Sequence, residues 1–248
     1  MAGPDPMSVR TTGISRVQVV IPARDEEARL GACLRSVAES VRRLSQARPG
    51  VRVGVTVVLD RCTDASPAVA SRFAVDVVVS HWGNVGAARR AGIEHAVLRS
   101  TDGPTGGPAG TWVACTDGDT VVPPTWLLDQ VLQAGVGVQL VVGAVTPDPV
   151  DGDAAVAGLW RERHRGARAG DHVHGANLGF RLDAYRAVGG FPALAEHEDV
   201  ALVRALRAHG VRQGVAPTVV TSARLVGRTP GGFAGYLRGL DEGLRVEA

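Results

Sequence analysis

Four short apolar runs, Val17 to Ile21, Val51 to Leu59, Val75 to Val79 and Thr111 to Cys115, are interrupted by helical patterns, and this repeat constrains the fold more than anything else in the chain. The first and last runs are apolar at nearly every position, as in strands buried on both faces of a parallel sheet. Between the first two, Leu30, Leu34, Val37, Val41 and Leu44 recur at steps of four and three, one face of a long helix opened by Asp25, Glu26 and Glu27. A helix after Ser66-Pro67 and another over Ala87 to Leu98 follow the next two runs. Alternating strands and helices of this kind build an α/β fold.

After Cys115 the repeat gives way. A helix from Trp126 to Ala134, a strand from Gln139 to Val145 and a loop from Thr146 to Asp153 lead to a polar helix carrying Trp160, Arg161, His164 and Arg165. A short strand Ala176 to Arg181, a helix Glu198 to His209, a strand Thr218 to Ser222 and a terminal helix from Gly232 complete the pattern. We expect one domain over residues 16–248, with halves meeting near residue 145, a flexible tail over residues 1–15, and an exposed loop from Thr101 to Gly110.

Composition narrows the chemistry. The chain has no lysine, which excludes a Schiff-base lysine and a phosphate-loop lysine. Its net charge of +2 is spread along the sequence, so no nucleic-acid partner is expected. Cys33, Cys62 and Cys115 have no paired spacing and read as reduced thiols. No run is long enough for a membrane span, so no integral membrane segment is expected and the location reads as cytoplasmic, with or without membrane association.

The polar clusters follow the strands. Pro22-Ala23-Arg24-Asp25-Glu26-Glu27 closes the first, Asp60-Arg61-Cys62-Thr63-Asp64 the second, and Gly83-Asn84-Val85-Gly86-Ala87-Ala88-Arg89 opens the helix after the third. Thr116-Asp117-Gly118-Asp119-Thr120 closes the fourth. Open α/β sheets bind ligands at such strand ends. Two aspartates one residue apart can send one carboxylate to a sugar hydroxyl and the other to a hard divalent cation bridging phosphates, although a solvated turn has the same composition.

In this order the clusters resemble the family 2 glycosyltransferases: a Pro-Ala-x-x-Glu strand end, a later Asp, a glycine-led helix start running to Ala88-Arg89 and an Asp-x-Asp turn. The resemblance continues through His174-Gly175-Ala176-Asn177-Leu178-Gly179-Phe180-Arg181, Gly189-Gly190-Phe191 and Glu198-Asp199, and covers roughly Val17 to Arg228. It implies the GT-A fold, a Rossmann-like nucleotide-binding half with a mixed central sheet fused to an acceptor-binding half. The implied activity is metal-dependent, inverting transfer of a hexose-type sugar from a nucleoside-diphosphate sugar to an acceptor hydroxyl, the acceptor being unspecified.

Carried over by position, Pro22, Ala23, Glu26 and Asp60 would frame base and ribose, and Arg89 would lie near the nucleotide. Asp117 would contact ribose or metal, and Asp119 would hold Mn2+ or Mg2+. Asp199 would be the base for the acceptor hydroxyl, with Glu198 beside it. Each acid also has a plainer reading: Glu26 as a first-turn helix residue, Asp60 as a turn former, Glu198 and Asp199 as a helix N-terminus. Arg224 and Arg228 would approach the diphosphate or face solvent, and His172 and His174 fit a ligand, a base or an ordinary hydrogen-bonding role. Arg61 departs from the adjacent acids usual at the second strand end and leaves the base open. A sugar-phosphate nucleotidyltransferase would want a glycine-rich loop after the first strand, where Pro-Ala-Arg-Asp-Glu-Glu stands. A non-catalytic nucleotide-sugar-binding protein is the other alternative.

Overall fold

The computed structural model describes residues 13–99, 107–152, 154–165, 172–227 and 232–247. The first part contains β1 (Arg16–Ala23), α1 (Leu30–Ala47), β2 (Arg52–Asp60), α2 (Ser66–Ala70), β3 (Asp76–Ser80), α3 (Val85–Leu98) and β4 (Thr111–Cys115). The second contains β5 (Thr120–Val121), α4 (Trp126–Gly135), β6 (Leu140–Val142), β7 (Val145–Pro147), α5 (Ala154–Arg163), β8 (Leu178–Arg181), α6 (Leu182–Ala187), α7 (Glu198–Ala208), β9 (Gln213–Gly214), β10 (Val219–Thr221) and α8 (Phe233–Glu247).

Seven strands form one sheet in the order β3-β2-β1-β4-β8-β6-β9, with β8 antiparallel to both its neighbours, so the central sheet is mixed as expected. β5, β10 and β7 form a second, small sheet. Along β1, Val17, Val19 and Ile21 join one core layer with Leu30, Cys33, Leu34, Val37 and Leu44 of α1 and Trp126 and Leu127 of α4. Val20 points the other way, into a layer with Val58, Val113, Cys115, Ile93 of α3 and Leu202, Val203 and Leu206 of α7. Cover on both faces is why the strand sequence is apolar without alternation. The chain leaves β1 for β2 on one side and returns to β4 on the other, which makes the crevice between the ends of β1 and β4 the switch point of the sheet.

Two expectations are corrected. Asp25, Glu26 and Glu27 do not open α1, which begins at Leu30 with no acid in its first turn. They form a loop instead, in which the Asp25 and Glu27 carboxylates bond amides of the loop after β2 and that of Glu26 bonds Arg224. Asp25, at a left-handed φ of 49°, accepts the Thr63 N–H at 2.7 Å, Glu27 accepts that of Ala65 at 2.8 Å, and Asp64 accepts that of Glu27 at 2.8 Å. The run Gln139 to Val145 is likewise not one strand: it splits at Gly143 into β6 and β7, which belong to different sheets. Asn177 causes the break. Its side chain occupies the space a Cβ on Gly143 would need, donates to Ala144 O at 2.8 Å and Pro217 O at 2.9 Å, and accepts the Trp126 indole N–H at 2.9 Å. β5, α6 and β9 were not expected from the sequence. The proposed tail lies outside the described residues up to residue 12, as does the proposed loop up to residue 106.

Asn177 is fully buried. Asn177→Ala strands the Trp126 indole N–H and the Pro217 carbonyl, each unmet group costing about 1–3 kcal/mol, while Ala144 O keeps the Val219 N–H. We expect a loss of roughly 3 kcal/mol or more in urea unfolding; a midpoint within experimental error of the parent would show that water replaces the amide without cost.

Candidate active site at the sheet switch point

A cleft of about 470 Å³ opens at the switch point. Its lining includes Pro22, Ala23, Glu26, Asp60, Arg89, Asp117, Asp119, Glu198, Asp199 and Arg224, every sequence-proposed site residue except Arg228. Arg228 lies outside the described residues. The Asp117–Asp119 turn is pinned to β1 by the Gly118 N–H, which donates to Pro22 O at 3.1 Å. Gly118 is required by close approach, since a Cβ there would lie 3.0 Å from the Ala23 Cβ.

Two arginines organise the acids. Arg89, from the first turns of α3, is buried and donates to Asp117 Oδ1 at 2.6 Å and to Glu198 Oε1 on α7. It is thus a strut beneath the cleft, tying the turn after β4 to α7. The Phe191 ring lies 5.9 Å from its guanidinium carbon, and a Cβ on Gly175 would collide with it. Burial opposes its charge, but Asp117 and Glu198 outweigh that and raise its pKa above the usual arginine value. Burial also pushes the Glu198 carboxyl above the usual glutamate value, against the opposing pull of Arg89, to which it is bonded.

Arg224, after β10, donates to Glu26 through both terminal nitrogens, at 2.9 and 2.7 Å, and lies 2.9 Å from Asp119 Oδ2. It is neither solvated nor remote. Burial pushes the Asp119 carboxyl up to about 6, with Arg224 acting in the opposite direction. Asp60 is largely committed to structure: Oδ1 accepts from the Ser80 hydroxyl at 3.0 Å and Oδ2 from the Asn84 N–H at 3.1 Å, joining the ends of β2, β3 and α3.

Asp199 faces the cleft from the first turn of α7. The N-cap is His197, in a left-handed conformation and without a side-chain capping bond. Asp199 Oδ2 accepts the Gly175 N–H at 2.7 Å and Oδ1 that of Val200 at 2.7 Å, so its carboxylate is oriented by backbone and bonded to no arginine among the described residues. Glu198 is turned away into the Arg89 pair. His172 and His174 also line the cleft, and burial lowers the His174 pKa to about 4, so its imidazole is neutral at physiological pH.

Sequence reasoning did not assign Trp160, His164, Phe233, Tyr236, Glu196 or Asn84, all of which line the cleft. The four-residue spacing of Trp160 and His164 on one helix face was the only local signal.

A divalent cation fits the charge pattern. Among the described residues the cleft presents seven carboxylates (Glu26, Asp60, Asp117, Asp119, Glu196, Glu198, Asp199) against three guanidiniums (Arg24, Arg89, Arg224), a lining into which a diphosphate would enter more readily with a cation. Asp117 and Asp119 are hard oxygen donors suited to Mg2+ or Mn2+. Among the described residues, a set of three donors close enough for one ion occurs instead at Asp25, Cys62 and Asp64, where Asp25 and Asp64 already bond loop amides. The Asp117–Asp119 turn would offer two carboxylates, and an ion there would need other oxygens for the rest of its shell.

The family model for glycosyl transferase family 2 matches residues 18–188, more than two thirds of the chain. The chain belongs to this family. No curated protein matches it. Among solved structures it is similar to S. aureus TarS 1-349, at TM-score 0.58 and 15% identity over 84% of this chain and 60% of that one. It is also similar to the mannosyltransferase PcManGT from Pyrobaculum calidifontis in complex with GDP-Man and Mn2+, at TM-score 0.54 and 21% identity over 88% and 61%. Glucosyl-3-phosphoglycerate synthase from Mycobacterium tuberculosis in complex with phosphoglyceric acid gives TM-score 0.50 and 17% identity over 85% and 73%. The family 2 chain therefore spans about three fifths of the first two of these structures and has their GT-A fold. No helix among its described residues is long and apolar enough to cross a membrane.

Proposed function

We propose that this family 2 chain is a glycosyltransferase that moves a sugar from a nucleoside-diphosphate donor to an acceptor hydroxyl, with inversion and with help from a divalent cation. The observation that carries the reading is the convergence of the Asp117–Asp119 turn and Asp199 on one cleft at the sheet switch point. Structurally similar proteins are complexed with UDP, or with GDP-Man and Mn2+. Pro22, Ala23 and Glu26 border the nucleotide side, and Asp119 and Asp117 would hold the cation, whose chemistry when bound is neutralisation of the diphosphate leaving group.

The residues divide the remaining work. Asp199 accepts the proton of the acceptor hydroxyl as it attacks, a role suited to a carboxylate fixed by two backbone amides. Arg89 holds Asp117 and Glu198 in place, so donor and acceptor sides keep their spacing. One displacement by the acceptor oxygen, opposite the departing diphosphate, accounts for inversion with no sugar bound covalently to the protein.

A thermal-shift panel of UDP, GDP, CDP, ADP and dTDP, each with MnCl2 or with excess EDTA, tests donor class and cation together. A ligand at 100-fold over its Kd adds about 2.7 kcal/mol to the folded state. One or two diphosphates should raise Tm by several degrees with Mn2+ and far less with EDTA. Equal shifts under both conditions would remove the cation from the proposal, and no shift with any diphosphate would remove the donor.

A further inference from the structure

The side of the cleft beyond Asp199 is walled by rings. Trp160 of α5 and His164, just after its last residue, stack at 4.4 Å between centroids, nearly parallel at 15°. His164 meets His172 at 5.0 Å, His172 meets His174 at 6.5 Å, His174 meets Phe233 of α8 at 5.9 Å, and Phe233 returns to Trp160 at 6.3 Å. The five rings close a circuit, and Tyr236 adds a sixth against His164 at 5.8 Å. All six line the cleft. Trp160 is nearly buried at 9% exposure, packed with Val156, Leu237 and Leu240, while His172 and Tyr236 are exposed. The wall is therefore anchored at its base and open at its rim.

This ring wall adjoins the proposed reacting group. His174 immediately precedes Gly175, whose N–H donates to Asp199. Its charge is also distinctive. Of the three guanidiniums among the described lining residues, Arg89 is bonded to Asp117 and Glu198, and Arg224 to Glu26 and Asp119. Seven carboxylates share the described lining with these three guanidiniums, Asp199 among them beside His174-Gly175. Burial keeps His174 neutral, so it adds no cation.

We propose that this wall is the acceptor subsite, and that it selects an uncharged alcohol bearing a flat ring, stacked on the aromatic and imidazole faces with its hydroxyl toward Asp199, while rejecting phosphorylated or carboxylated acceptors. Flat faces bind ring faces by dispersion and by the ring quadrupole. An anionic acceptor would enter a described lining in which carboxylates outnumber guanidiniums seven to three and Arg89 and Arg224 are already bonded to acids, and like charges brought together in a cleft oppose binding. The proposal rests on the glycosyltransferase reading and names the substrate class of the same site.

The test uses three matched probes, phenyl β-D-glucopyranoside, methyl β-D-glucopyranoside and phenyl β-D-glucopyranoside 6-phosphate, titrated by calorimetry into the full chain saturated with the nucleoside diphosphate found above. The phenyl glucoside should bind at least tenfold more tightly than either of the others. His172→Ala and Tyr236→Ala, both exposed and so tolerated by the fold, should each weaken the phenyl glucoside by tenfold or more and leave nucleoside diphosphate affinity unchanged. Equal or tighter binding of the 6-phosphate, no saturable binding of the phenyl glucoside at millimolar concentration, or indifference to both substitutions overturns the proposal. Hydrolysis of UDP-glucose and GDP-mannose by the parent protein, measured in parallel, separates the two levels. Hydrolysis retained without ring preference sinks the acceptor class alone, whereas loss of hydrolysis and of diphosphate binding sinks the transferase reading.

Discussion

Asp199→Asn should abolish sugar transfer while leaving folding and donor affinity intact. Asn keeps the size of the side chain, and its amide oxygen can still accept the N–H of Gly175 or of Val200, the two backbone bonds that orient Asp199. What it loses is the capacity to take a proton. Loss of general-base help costs on the order of 10²–10⁴-fold in rate, and here it should appear in kcat with Kd for the nucleoside diphosphate unchanged. Tm should move by no more than a degree or two, since the capping position of α7 is His197 and not Asp199. Transfer within a few-fold of the parent would sink the assignment. Glu198 could not easily take over, because it is buried and bonded to Arg89, so attention would pass to His172 and His174.

How much of this was legible in the sequence depends on which residues carried the information. The βα repeat was readable because β1 and β4 are buried on both faces, which forces apolar residues at consecutive positions. The Asp-x-Asp turn and Glu198-Asp199 were readable because short spacing fixes their geometry. The division of labour within Glu198-Asp199 was not, since it depends on Arg89, 109 residues away in sequence. Arg224 was named from sequence, but its double bond to Glu26 spans 198 residues and has no local signature. The ring wall was least legible, being assembled from α5, the segment before β8 and α8, none of which repeats a pattern. The misread strand at Gly143 has the same cause: the apolar run is local, and the Asn177 side chain that breaks it is 34 residues on.

Arg224→Ala should destabilise the donor-free protein, and Mn2+ should restore much of the loss. Arg224 joins Glu26 and Asp119, whose side chains are 6% and 12% exposed. Removing one partner of a buried pair costs about 3–5 kcal/mol, and because Arg224 itself is 23% exposed the lower end, roughly 3 kcal/mol, applies. The pH dependence has a definite sign. Burial holds the Asp119 pKa at about 6 in the folded protein, above the ordinary aspartate value of 3.8, so the folded state binds the proton more tightly and stability falls as pH rises through that window. Without Arg224, which lowers this pKa, the window moves upward, so the gap in Tm between variant and parent should be wide at pH 8 and narrow at pH 5. A divalent cation relieves the same repulsion by binding the carboxylates of the folded state, so added Mn2+ should raise the variant's Tm at pH 8 more than the parent's. A gap that is the same at pH 5 and pH 8 would mean that Arg224 contributes packing and not charge. An Mn2+ shift no larger in the variant than in the parent would mean that guanidinium and cation do not share Asp119, and that any cation sits instead at the Asp117 side of the turn.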